Sequence, residues 1–131
     1  MSGKTILIVD DDEKVLEALK DILEVEGYTL RVARNGASAL REVDSDPPDL
    51  MITDINMPDM EGIELMRKLA GRTHSIPVIA ISGDPLGSRF LKAARLLGAV
   101  DTLLKPFSIV DIREKVSAAL SNTGRPTGNG E

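Results

Sequence analysis

Five short apolar runs, Thr5 to Val9, Thr29 to Ala33, Leu50 to Thr53, Val78 to Ile81 and Val100 to Leu104, alternate with five stretches in which apolar residues recur at helical spacing. Such alternation predicts a parallel sheet covered by helices on both faces, because parallel strands need long crossover connections and these are usually helical. The first, third and fourth runs are almost wholly apolar, as strands buried on both faces must be, and belong inside the sheet. Thr29-Leu30-Arg31-Val32-Ala33 alternates instead and reads as an edge.

Between the runs, Val15, Leu16, Leu19, Ile22 and Leu23 form one helical stripe, with Gly27 placed to supply a left-handed stop. A second helix is expected around Ala37 to Val43. Leu65, Met66 and Leu69 mark a third, and Phe90, Leu91, Ala94 and Leu97 a fourth that ends at Gly98. Ser108 and Asp111 resemble a capping box opening a last helix that carries Ile112, Val116 and Leu120. The segment 122–131 holds no apolar residue able to offset ordering entropy, so it reads as a disordered tail or the start of a linker. Nothing repeats internally, and the 131 residues fit one doubly wound α/β domain.

Composition narrows the function classes. A net charge of -5 argues against a phosphate-backbone binder, so direct nucleic-acid contact is not expected. With no cysteine there is neither a disulfide framework nor a thiolate metal site, which fits a reducing compartment. The opening residues are too short an apolar stretch for a secretory signal, and no run approaches the roughly 20 apolar residues of a membrane span. A soluble cytoplasmic protein is the expectation.

The chemistry gathers where runs end. Asp10, Asp11 and Asp12 follow the first run and Asp54 the third. Doubly wound sheets bind ligands beyond the carboxyl ends of the strands where the winding reverses, which in the order 2-1-3-4-5 lies between strands one and three. Asp10, Asp11 and Asp54 arrive there together. Like charges in close proximity raise one another's pKa unless a cation compensates. Mg²⁺ suits the site because it accepts one or two carboxylates, keeps several waters and leaves an oxygen for a phosphoryl group. Asp11 and Asp54 are the expected direct ligands, Asp10 a water-mediated one, and the backbone carbonyl of Asn56 a third protein oxygen. Asp12, immediately ahead of the first helix, fits an N-cap better than a ligand.

A carboxylate can also be the nucleophile of phosphoryl transfer if positive charge neutralises the incoming oxygens. Lys105, closing the fifth run, can supply that charge, and Ser82, closing the fourth, offers a hydroxyl to a phosphoryl oxygen. Ser82 before Gly83-Asp84-Pro85 is also ordinary turn chemistry. His74, the single histidine, fits a surface loop better than a phosphodonor, and Met57 and Met60 fit loop packing. Gly83 and Gly87 do not make a phosphate-cradling loop.

Val9-Asp10-Asp11, the Asp54-to-Gly62 loop, Ser82 and Lys105-Pro106-Phe107 together resemble the receiver domain of two-component response regulators, over residues 4–121. The resemblance implies a flavodoxin-like (βα)5 fold with strand order 2-1-3-4-5. It implies Mg²⁺-dependent transfer of phosphate from a histidine kinase or phosphotransfer protein to Asp54, slow self-catalysed hydrolysis, and a cis peptide before Pro106. Such a chain is a signalling phosphoacceptor rather than an enzyme, acting on a downstream protein target or output domain. Many receivers also pair, as homodimers, through the face of the fourth helix, fifth strand and fifth helix. Receivers often carry an aromatic three residues before the lysine, and here Thr102 stands there. An aromatic gate cannot operate with a small β-branched residue, so phosphorylation is expected to survive while the surface signal is reduced or differently routed. Asn56 and Asp84 are expected to set how attacking water is admitted.

Three rival readings fit the residues less well. Aspartate-based phosphohydrolases carry the nucleophile after strand one in an Asp-x-Asp-x-Thr pattern and add a cap domain, whereas Asp10-Asp11-Asp12-Glu13-Lys14 lacks the pattern and no residues remain for a cap. A phosphorylation-independent interaction module would have no use for intact Asp54 and Lys105. A flavin site is disfavoured because an acidic loop after strand one repels the flavin phosphate. No output domain follows Leu120, which leaves a stand-alone protein or a piece of a longer regulator or hybrid kinase.

Overall fold

The computed structural model describes residues 3–55, 61–70, 76–83 and 87–121. Asn56, Met57, Met60, His74, Asp84 and the segment 122–131 lie outside them, as do the side chains of Phe90 and Leu91. Strands and helices alternate without exception: β1 (Thr5–Val9), α1 (Glu13–Val25), β2 (Thr29–Ala33), α2 (Gly36–Ser45), β3 (Leu50–Asp54), α3 (Glu61–Ala70), β4 (Val78–Ser82), α4 (Gly87–Leu96), β5 (Asp101–Leu104) and α5 (Ile109–Ser121). All strand pairs are parallel, in the order β2-β1-β3-β4-β5. This is the expected flavodoxin-like doubly wound sheet, with β2 at one edge.

The period-two alternation of each central strand feeds two separate cores. Ile6, Ile8, Leu50, Ile52, Ile79 and Ile81 point to the side where Leu16, Leu19 and Leu23 of α1 meet Ile112 and Val116 of α5. Leu7, Val9 and Met51 point to the other, against Ala39 and Val43 of α2 and Leu65 and Met66 of α3. Each fully buried Leu or Ile contributes about 1.5–3 kcal/mol of transfer free energy, so shifting any central strand by one residue would exchange whole faces between the cores. Register is thereby tied to sequence, and with it the height at which each strand ends.

Helix boundaries follow local chemistry. Asp12 is the N-cap of α1, its carboxylate accepting from the Lys14 N–H at 2.9 Å. Gly27 adopts φ 93 just past α1, and Gly98 adopts φ 109 after α4, the left-handed stops anticipated at both. Ser108 Oγ accepts from the Asp111 N–H at 3.0 Å to open α5. Three strand ends differ from expectation. β3 and β4 each run one residue further, so Asp54 and Ser82 are the last residues of strands rather than the first of loops. β5 begins one residue later than expected, at Asp101, where its pairing with Ile79 starts; the exposed Val100 ahead of it still donates its N–H to the Val78 carbonyl.

At the N-terminal ends of the central strands, Asp49 ties β3 to β1 twice. Its N–H donates to the Thr5 carbonyl at 2.8 Å, and its Oδ2 accepts from the Thr5 N–H at 2.8 Å. Asp49→Ala removes the second bond and is expected to lower stability by about 1 kcal/mol in urea unfolding, with Asp49→Asn retaining most of it. Equal stability of Asp49→Ala and the parent chain would contradict the assignment.

Candidate functional site

Four strands deliver the site. β1 ends at Val9, so Asp10 and Asp11 stand just beyond it, beside Asp54 at the end of β3. Carboxylate oxygens of Asp10, Asp11 and Asp54 all lie within 4.8 Å of one another. Asp10 and Asp54 are buried, whereas Asp11 is exposed. Ser82 is fully buried at the end of β4. Lys105, just beyond β5, reaches back so that its Nζ donates to Asp54 Oδ2 at 3.2 Å and Asp10 Oδ2 at 3.3 Å. The residues named from sequence at the ends of the first, third, fourth and fifth strands thus meet at one edge, at the winding reversal between β1 and β3. Asn56 lies outside the described residues.

Three carboxylates against one ammonium is an unbalanced set. Burial pushes Asp10 up from 3.8 to about 6, the neighbouring Asp54 charge adds to the rise, and the Asp12 N–H, which donates to Asp10 Oδ1 at 2.9 Å, and Lys105 only partly oppose it. For Lys105 burial works downward, but the carboxylates of Asp54 and Asp10 outweigh it and hold the ammonium above its ordinary pKa. An all-oxygen donor set with uncompensated negative charge fits a hard divalent cation. Asp12 stays out of the cluster, its side chain spent on the helix cap.

Gly83 is a site position that its neighbouring turn residues concealed. A Cβ built there would lie 3.0 Å from Lys105 Cδ and 3.3 Å from its Cβ, so the lysine stem lies close against bare backbone on its way to the aspartates. The Lys105 N–H donates to the Ser82 carbonyl at 2.8 Å, and the Lys105–Pro106 peptide is cis, as the resemblance implies. The signal was present as a glycine directly after Ser82, but only the fold shows what crosses it.

Thr102 points to the α4 side of β5, where its hydroxyl accepts from Arg95 Nη2 at 3.1 Å. Its neighbour Asp101 accepts from Lys115 Nζ of α5 at 2.9 Å and also lies 4.0 Å from Arg95 Nη2, while the Thr102 carbonyl accepts from the same ammonium at 3.1 Å. Burial would raise the Asp101 pKa, yet Lys115 and the Thr102 N–H hold it below the usual carboxylate value. At this position, read from the sequence as the Thr102 departure from the aromatic that receivers often carry, the chain has a hydroxyl tied to a guanidinium.

Comparison with known proteins agrees with this geometry. The model of the response regulator receiver domain matches residues 6–117. The chain is similar to the response regulator MprA of Mycobacterium tuberculosis, 35% identical over 119 residues that make up 90% of this chain and 51% of that protein. It spans about half the length of the curated relatives it matches. Among solved structures it resembles the signal receiver domain of a signal transduction histidine kinase from Syntrophus aciditrophicus, with 38% identity, 94% of each chain covered and a TM-score of 0.82. It also resembles a CheY-like response regulator receiver domain protein from Methanospirillum hungatei, with 33% identity, 92% of this chain and 96% of that one covered and a TM-score of 0.83. No described helix is long and apolar enough to cross a membrane. The matched stretch takes in the whole carboxylate cluster and the lysine that reaches it, and the chain belongs to the response regulator receiver domain family.

Proposed function

We propose that Asp54 accepts a phosphoryl group from a phosphohistidine on a histidine kinase or phosphotransfer protein and loses it by slow hydrolysis. The observation that carries this reading is one ammonium, Lys105 Nζ, bonded to both Asp10 and Asp54 within the three-carboxylate cluster. In the transfer, a P–O bond forms to an Asp54 oxygen as the P–N bond of the donor breaks. The electron pair stays on the imidazole, which takes up a proton from water. Lys105 neutralises one phosphoryl oxygen as it gains charge, and the buried Ser82 hydroxyl donates to another. Asp10 keeps Lys105 charged and aimed. When bound, Mg²⁺ on Asp11, Asp54 and the Asn56 carbonyl, with Asp10 through water, would neutralise phosphoryl charge that one lysine cannot.

The same reading places the chain in the cytoplasm, with a kinase or phosphotransfer protein upstream and a protein target or output domain downstream, and with no direct nucleic-acid contact. The α4–β5–α5 face is the surface read by the target or by a second copy. With Thr102 held by Arg95, that surface changes through a polar tether rather than an aromatic side chain.

Three measurements test these assignments. Incubation with Mg²⁺ and acetyl phosphate should add one phosphoryl group to the parent chain, by intact mass, and none to Asp54→Asn; equal labelling of both would refute the acceptor assignment. Asp10 has a folded pKa raised to about 6, so the stability it contributes is full below its ordinary 3.8 and is lost as pH rises through about 6. The cation-free Asp10→Asn variant should therefore melt above the parent chain at pH above about 7, with the gap closing toward pH 4; a pH-independent gap would contradict this. Thr102→Val, which keeps shape and loses the hydroxyl, should speed amide exchange in α4 about fivefold while leaving α5 unchanged, reflecting about 1 kcal/mol for one hydrogen bond. Unaltered exchange in α4 would remove the tether.

A further inference from the structure

The mouth of the site carries a second charged feature that phosphoacceptor chemistry does not use. Arg34, in the loop after β2, donates through Nε to Glu13 Oε1 at 3.0 Å and through Nη2 to Glu13 Oε1 at 2.8 Å and Oε2 at 2.9 Å. Glu13 is the first residue of α1, directly after the cap Asp12, and the Asp10 N–H donates to the Ala33 carbonyl at 3.1 Å. Both members therefore stand at the sheet edge where Asp10 and Asp11 emerge. Their side chains are 59% and 58% exposed, so the pair adds little to stability and faces arriving solutes. Two-pronged contact with Glu13 keeps the guanidinium near the opening instead of letting it swing into solvent.

We propose that Arg34 and Glu13 set the electrostatic field through which a phosphodonor reaches Asp54, Arg34 favouring small anionic donors and Glu13 opposing them. The inference rests on the reading of Asp54 as phosphoacceptor. An acyl phosphate such as acetyl phosphate approaches as a dianion. Its P–O bond to the acyl oxygen breaks as the bond to an Asp54 oxygen forms, and acetate leaves with the electron pair, with no proton required. A unit charge about 10 Å from a dianion in water changes its local concentration roughly fourfold at low salt, and less as screening grows. A divalent cation feels the same field with opposite sign. The pair thus trades entry of anionic donors against affinity for the cation, and charge at either position shifts the balance.

The molecule contains its own control. Glu26, just past the C-terminal end of α1, pairs with Arg113 at 2.9 Å. The 13 residues of α1 put its ends about 20 Å apart, so a charge at that end acts on the site much more weakly than one at its mouth. The test follows phosphorylation of the full chain by acetyl phosphate at saturating Mg²⁺, and separately the Mg²⁺ affinity, at low and at roughly 1 M salt. At low salt Arg34→Gln should phosphorylate about two- to fourfold more slowly and bind Mg²⁺ more tightly, and Glu13→Gln should do the reverse. The double variant should return near the parent chain. Arg34→Lys should retain most of the parent rate, and Arg113→Gln should match it. All differences should collapse at high salt. Rates and affinities moving in the same direction, insensitivity to salt, or an equal effect of Arg113→Gln would overturn the proposal. A parent chain that takes up no phosphoryl group would overturn the acceptor reading beneath it.

Discussion

The bond from Lys105 to two buried aspartates is the interaction on which the rest of the site depends. Without it, Asp10 and Asp54 would be like charges packed beside each other in a low-dielectric edge with no cation to offset their repulsion. With it, one charge is balanced and the remainder is left over. That remainder makes the site receptive: the fold holds an excess of carboxylate that a bound cation would relieve. The lysine is positioned by features some distance from its own charge, including a bare backbone position at Gly83 and the pairing of its N–H with the Ser82 carbonyl.

The two-sided core explains how residues far apart in sequence arrive at one height. β1, β3 and β4 are locked on both faces by Leu, Ile, Val and Met side chains, and none can slide without moving apolar residues between cores. The carboxylate-bearing ends of the strands inherit that rigidity. Function sits on strand ends and the first residues after them, where the backbone is held by the ladder and only the side chains meet solvent.

Much of this was legible in the chain itself. Wholly apolar runs mark central strands because both faces are buried, and the acids stand out because charge directly after such a run has no packing role. Asp12 could be separated from Asp10 and Asp11 because a helix start needs one cap, and the structure uses that carboxylate as one. The apolar runs stop one residue before the strands do at Asp54 and Ser82, because polarity ends a run while the hydrogen-bond ladder continues through both residues. Gly83, Arg34 and Arg95 were not legible, for a shared reason. Each matters through a partner in another element, and neither spacing nor residue type reveals which side chain will cross a glycine or which acceptor an arginine will meet.

The edge strand β5 has four residues and buries only Leu103 among them. One hydrocarbon anchor on so short a segment leaves its alignment against β4 weakly specified. Asp101 and Thr102 add to the constraint: the Asp101 carboxylate accepts from Lys115 of α5 and lies 4.0 Å from Arg95 of α4, which donates to the Thr102 hydroxyl. Sliding by one residue would break these contacts and carry Leu103 away from the core beneath α1 and α5. Polar pairs thus take over from hydrocarbon the task of fixing how this short edge strand lines up.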